Sequence, residues 1–167
     1  PYIVKKGIRP IGARQLRNQL LIPMYQINPE HPEERSLVSL QIITEAETDD
    51  GGKEIKKVFL TGTPKKGSFS LLAPPGTPDS DIVYVCEGWA TGCSIYQATQ
   101  KPVYVAFDAG NIDAVITAIK PIEKRRIVIA ADNDCHYHTK LKNDFKAKYG
   151  VDLEIGASRS SPAQLIE

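Results

Sequence analysis

The chain has 167 residues, 21 Lys and Arg against 20 Asp and Glu, a net charge of +1, and 41% hydrophobic and 25% charged residues. That length suits one domain, or one domain with a small companion, and that balance excludes a disordered chain and a uniformly basic protein that coats nucleic acid. No apolar run reaches the roughly 18 residues of a membrane span and no signal peptide opens the chain, so a membrane association is not expected.

The near-zero net charge hides local patches, and local patches govern binding. Residues 1–17 carry Lys5, Lys6, Arg9, Arg14 and Arg17 and no acid. The apolar run Leu20–Tyr25 ends at Asn28-Pro29 and leads into a loop rich in Glu and Pro. Leu37–Ile43 follows, then a turn at Asp49-Asp50-Gly51-Gly52, then Lys57–Leu60 and Ser68–Leu72, separated by Gly62, Pro64 and Gly67. Short strands with such punctuation predict an antiparallel meander. A second basic cluster, Lys53, Lys56, Lys57, Lys65 and Lys66, overlaps it. Residues 73–78 hold three prolines and form the expected linker. The division expected is a β-rich basic subdomain over 1–78 and a second domain over 79–167.

The second part alternates. Ile82–Cys86 is a continuous apolar run, the mark of a strand covered on both faces. Residues 89–99 read as a helix, in which Trp89, like Tyr84 before it, is expected to be core. Pro102–Phe107 is a second buried strand. Asn111 can cap a helix whose stripe is Ile112, Val115, Ile116 and Ile119. Ile127–Ala131, a helix over 139–149 stopped by Gly150, and Val151–Ile155 complete a β-α-β-α-β-α-β pattern. This is an α/β class with a four-stranded parallel sheet flanked by helices. The cysteines Cys86, Cys93 and Cys135 form no C-x-x-C pair and predict reduced thiols in a cytoplasmic protein. A start at Pro1 rather than Met leads us to expect a piece of a longer protein.

Three of these strands end in acids: Glu87-Gly88, Asp108-Ala109-Gly110-Asn111 and Asp132-Asn133-Asp134. Ligands of an open α/β sheet bind beyond the carboxyl ends of its strands. Carboxylates gathered there repel unless a cation neutralises them, and oxygen-only ligands suit Mg²⁺ or Mn²⁺. Gly88 and Gly110 are expected to let the backbone turn sharply. One acid after a strand is an ordinary turn or cap residue, and for Asp108 that reading stands beside the metal one. Three such ends, one with D-x-D, favour a site. Cys135, His136 and His138 have zinc-like spacing, but no second cluster completes four ligands, and a polar loop is the simpler reading.

Val85-Cys86-Glu87-Gly88 followed by Ala131-Asp132-Asn133-Asp134 resembles the Toprim domain of bacterial-type DNA primases, topoisomerases and some nucleases. The resemblance is closer to the primases of phages and plasmids. It extends through Glu87–Thr91, Phe107–Asn111 and the earlier segments Tyr2–Gly7, Leu21–Tyr25, Leu37–Gln41 and Lys65–Phe69. A departure is Cys135-His136-Tyr137-His138 after the D-x-D, where many such primases have a small residue and then Gly.

The resemblance implies a Toprim fold preceded by a small, mostly antiparallel β subdomain, and primer synthesis on single-stranded DNA from nucleoside triphosphates by metal-dependent nucleotidyl transfer. It implies Glu87, Asp132 and Asp134 as catalytic and metal-binding residues with Asp108 as a further metal ligand. Lys66, Lys65, Lys57, Lys6 and Arg9 would contact DNA or nucleotide. Asn111 would bind a phosphate or sugar, or only cap its helix, and the residues favour the cap. A replicative helicase, in cis or in trans, is the expected partner. A metal-dependent nuclease and a non-catalytic DNA- or helicase-binding module are the alternatives.

Overall fold

The computed structural model describes residues 2–47, 52–131 and 164–166. In chain order its elements are α1 (Tyr2–Lys6), β1 (Arg14–Leu16), β2 (Gln19–Ile27), β3 (Arg35–Glu47), β4 (Lys53–Phe59), β5 (Ser70–Leu72), β6 (Ile82–Cys86), α2 (Trp89–Thr99), β7 (Val103–Val105), a 3-10 turn (Ala109–Asn111), α3 (Ile112–Ile119), β8 (Arg126–Ala131) and β9 (Gln164–Ile166). No helix among the described residues is long and apolar enough to cross a membrane.

The first sheet is antiparallel throughout, in the order β1-β2-β3-β4. Alternation along a strand sends successive side chains to opposite faces. Ile22 and Met24 on β2, with Ser39, Gln41 and Ile43 on β3, are accordingly buried on one face, paired Ile22 with Gln41 and Met24 with Ser39.

The second sheet has the order β5-β7-β6-β8-β9. β6 lies between β7 and β8 and runs parallel to both, while β5 and β9 flank them antiparallel. The mostly parallel sheet with helices, preceded by an antiparallel sheet, matches the expected architecture. Strand 70–72 departs from it. Read as the last member of the meander, it pairs instead with β7, Leu72 opposite Val103. The chain changes sheets through one backbone bridge, where Tyr25 and Phe69 exchange N–H···O bonds of 2.7 and 2.9 Å. Burial drives the switch, because Phe69, Ser70 and Leu72 are all enclosed there. The expected helix at 139–149 and strand at 151–155 lie outside the described residues.

Each face of the second sheet has its own core. Tyr84, Cys86, Val103 and Val105 pack with Trp89, Cys93 and Ile95 of α2 and with Ile22 and Ile43 of the first sheet. Val83, Val85 and Tyr104 pack with Val115 and Ile119 of α3 and with Phe69. α2 lies close to the sheet because Gly92 has no side chain. A Cβ there would sit 2.8 Å from Val105 Cγ2 and 3.0 Å from Leu72 Cδ1. At the other face, the Tyr104 hydroxyl donates to Glu123 (3.3 Å), whose carboxylate also accepts from Arg125 Nε (2.6 Å) and Nη2 (2.7 Å). Burial by itself would push Glu123 up, but the Arg125 hydrogen bonds hold its carboxyl below the usual range. Burial pushes the Tyr104 hydroxyl up to about 12.

Two outcomes are expected in urea unfolding. Gly92→Ala overpacks the helix–sheet contact and lowers stability by about 1–3 kcal/mol; an unchanged midpoint would contradict the contact. Glu123 has a depressed folded pKa, so its contribution is present above its ordinary value of 4.5 and is lost as pH falls through the folded value. The stability gap to Glu123→Gln is therefore full at neutrality and narrows only as pH falls below 4.5. A gap independent of pH would rule out the ion pair as its source.

Candidate active site

Parallel pairing brings the carboxyl ends of β7, β6 and β8 to one edge. Cys86 is opposite Val105 on one side and Ala130 on the other. Glu87 follows β6 directly and Ala131 follows Ala130, so the half-buried Glu87 is level with the last residue before Asp132. Asp132 and Asp134, like Cys135, His136 and His138, lie outside the described residues. Among the described residues no three His, Cys, Asp or Glu side chains form a metal-holding group.

α2 begins two residues after Glu87, and its N-cap, Gly88, has no side chain to cap the first turn. The N–H groups there place positive partial charge at this edge, which favours anionic groups. Trp89 is 2% exposed and donates from Nε1 to the Ile11 carbonyl at 2.9 Å, so it is core and an anchor for residues 8–13. Tyr84 is core as well. Burial pushes the Cys93 thiol up to about 11, so it remains protonated at neutral pH and is no nucleophile.

The backbone at this edge turns without a left-handed glycine. Gly88 has an ordinary extended conformation (φ −98°, ψ 144°), and Gly110 is not among the residues with positive φ. The left-handed residue is Phe107, at φ +67°. Its ring meets Phe59 of β4 edge to face, with centroids 6.0 Å apart. Sequence inspection has no signal for this, since a phenylalanine rarely adopts such a φ unless its surroundings impose it.

The two other candidates of this turn both make hydrogen bonds to the backbone. Asp108 is exposed, and its Oδ1 accepts from Gly110 N–H at 2.8 Å. Asn111 occupies the position before α3, but its side chain makes no cap hydrogen bond, contrary to the reading from sequence. It is 8% exposed and points into the protein. Its Oδ1 accepts from Gly67 N–H (2.8 Å), and its Nδ2 donates to the carbonyls of Ser68 (2.9 Å) and Ala106 (2.8 Å). The cap is abandoned because two buried carbonyls and the half-buried Gly67 N–H need partners.

These bonds fasten Lys65, Lys66 and Gly67 beside the 107–111 turn. Lys65 Nζ sits 4.4 Å from the Phe59 ring centroid. Gln26 on β2 holds the same loop from another side, donating to the carbonyls of Pro64 (3.3 Å) and Lys66 (3.0 Å). The remaining basic candidates are elsewhere. Lys57 Nζ stands 6.0 Å from the ring centroid of Tyr2 in α1, and Lys6 ends that helix. Arg9 N–H donates to Gln97, eight residues beyond Trp89 and so about 12 Å along α2. Nearby, the hydrogen bond from Lys5 holds the Glu45 carboxyl below its usual range.

The family model described as the Toprim domain matches residues 82–147. A curated protein of Escherichia coli described as DNA primase TraC is 27% identical over 140 residues, which cover 81% of this chain and 9% of that protein. The chain thus spans less than a tenth of the length of the curated relative it matches. No solved structure matches it.

If Asp108 serves only its own turn, Asp108→Ala lowers stability by about 1 kcal/mol, as for lost caps. Asp108→Asn retains an acceptor for Gly110 N–H and is expected to melt within a degree or two of the parent. Equal losses from both substitutions would show that the charge, not the cap, matters.

Proposed function

We propose that the chain, whose residues 82–147 match the Toprim domain model, is the catalytic core of a plasmid- or phage-type DNA primase. In this reading it makes primers on single-stranded DNA from nucleoside triphosphates by metal-dependent nucleotidyl transfer. The observation that carries it is the level ending of β6 and β8, Cys86 opposite Ala130, with Glu87 next on one strand and Asp132 one residue past Ala131 on the other.

The donor set is all carboxylate, which suits a hard divalent cation, Mg²⁺ or Mn²⁺. Glu87, Asp132 and Asp134 would hold it, and when bound it offsets charge on the triphosphate and the leaving pyrophosphate. The 3′-hydroxyl oxygen of the growing primer bonds to the α-phosphorus, the bond to pyrophosphate breaks, and the hydroxyl proton passes to Glu87 or water. Asp108, exposed at the turn after β7, would be a further ligand. Lys65 and Lys66 meet phosphates of template or nucleotide with little base preference. Lys6, Arg9 and Lys57 would extend the path of the template over the first sheet. A replicative helicase, in cis or in trans, is the partner this reading proposes, and a cytoplasmic setting goes with it.

The test is Glu87→Gln and Asp132→Asn in the natural full-length protein. Each is expected to lower Mg²⁺-dependent primer synthesis on single-stranded DNA at least about 100-fold, with DNA binding retained. Near-normal synthesis by both variants would overturn the assignment. Cleavage of the template in place of synthesis would replace the primase with a nuclease using the same acids.

A further inference from the structure

We propose that Asn111 and Gln26 are positioning residues that hold the Lys65–Ser68 loop from two sides, so that Lys65 and Lys66 meet nucleic-acid phosphate in an arrangement set before binding. The proposal rests on the reading above, in which these lysines face template or nucleotide.

The loop has little apolar anchorage of its own, for Lys65 and Lys66 are exposed and Gly67 sits at φ +75°. What fixes it is polar. Asn111 spends both of its N–H donors on the Ser68 and Ala106 carbonyls and receives Gly67 N–H on its oxygen. One amide therefore ties residues 67 and 68 to the end of β7. Its donors are committed to the protein, which leaves none for a phosphate or sugar. Gln26 binds the carbonyls of Pro64 and Lys66 from β2. Inside the loop, Ser68 N–H donates to the Lys65 carbonyl at 3.0 Å, and Ser68 Oγ donates to the Pro64 carbonyl. The lysine backbone is thus ordered in advance, which lowers the entropy lost when its side chains engage a ligand.

The experiment follows binding of a fluorescently labelled oligodeoxythymidine to the chain across a salt titration. Lys65→Ala/Lys66→Ala removes two phosphate contacts, and the log–log salt slope is expected to fall by about 1.4, or about 0.7 per contact on a single strand. Asn111→Asp keeps the acceptor for Gly67 N–H but turns both donors into an acceptor facing two carbonyls. Gln26→Ala removes the other tie from a partly exposed side chain, so it remains a test if Asn111→Asp does not fold. Each is expected to weaken binding and lower the slope by less than the lysine pair does, and to add nothing when combined with it. Positioning is overturned if the lysine pair lowers the slope while Gln26→Ala and folded Asn111→Asp leave it intact, or if the effects add. An unchanged slope in the lysine pair instead removes these lysines from the phosphate path, which is a failure of the functional reading.

Discussion

The ladder between β6 and its two parallel neighbours is the constraint from which the rest of the molecule follows. Parallel strands end at the same edge, so the residues after Cys86, Val105 and Ala130 share one rim. The register has no freedom to slip. Tyr84 and Cys86 are enclosed beneath α2, while Val83 and Val85 are enclosed beneath α3. A shift of one residue would exchange the two sets and strand both cores. Hydrophobic burial therefore fixes where a carboxylate stands.

The antiparallel sheet is coupled to that rim rather than appended to it. Its inner side chains Ile22 and Ile43 complete the core under α2. The bridge between Tyr25 and Phe69 continues its hydrogen bonding toward β5. The strap formed by Phe59, Phe107 and Lys65 then crosses between the sheets. A basic loop that belongs by sequence to the first sheet is in this way carried to the edge of the second.

Phe107 shows what this junction demands of the backbone. A bulky residue in the left-handed region stores about 1–3 kcal/mol of strain. It persists because neighbours over-determine it: the Phe59 ring meets its side chain, Asn111 grips the Ala106 carbonyl before it, and Asp108 closes the turn after it. The strain sits where the strand must end and the chain must turn across the rim.

Much of this was legible in the residues. The continuous apolar run at 82–86, the stripe at 112, 115, 116 and 119, and the acids following strands report local periodicity and composition, which act over a few neighbours. They led to β6, α3 and β8 and to the carboxyl edge that Glu87 follows, and the resemblance pointed to the Toprim model that matches residues 82–147. The pairing of β5 was not legible, because Ser70-Leu71-Leu72 reads the same in either sheet and only burial against Gly92 and Val105 chooses between them. The work of Asn111 was hidden too: Gly67 and Ser68 lie 44 and 43 residues away, and the local pattern pointed to a cap. The amino-acid sequence by itself thus determined which segments form strands and helices and which acids follow them. The tertiary structure alone decided which strands pair, which backbone groups Asn111 must satisfy, and that Lys65 and Lys66 come to the rim, since those outcomes depend on partners that only folding brings within hydrogen-bond reach.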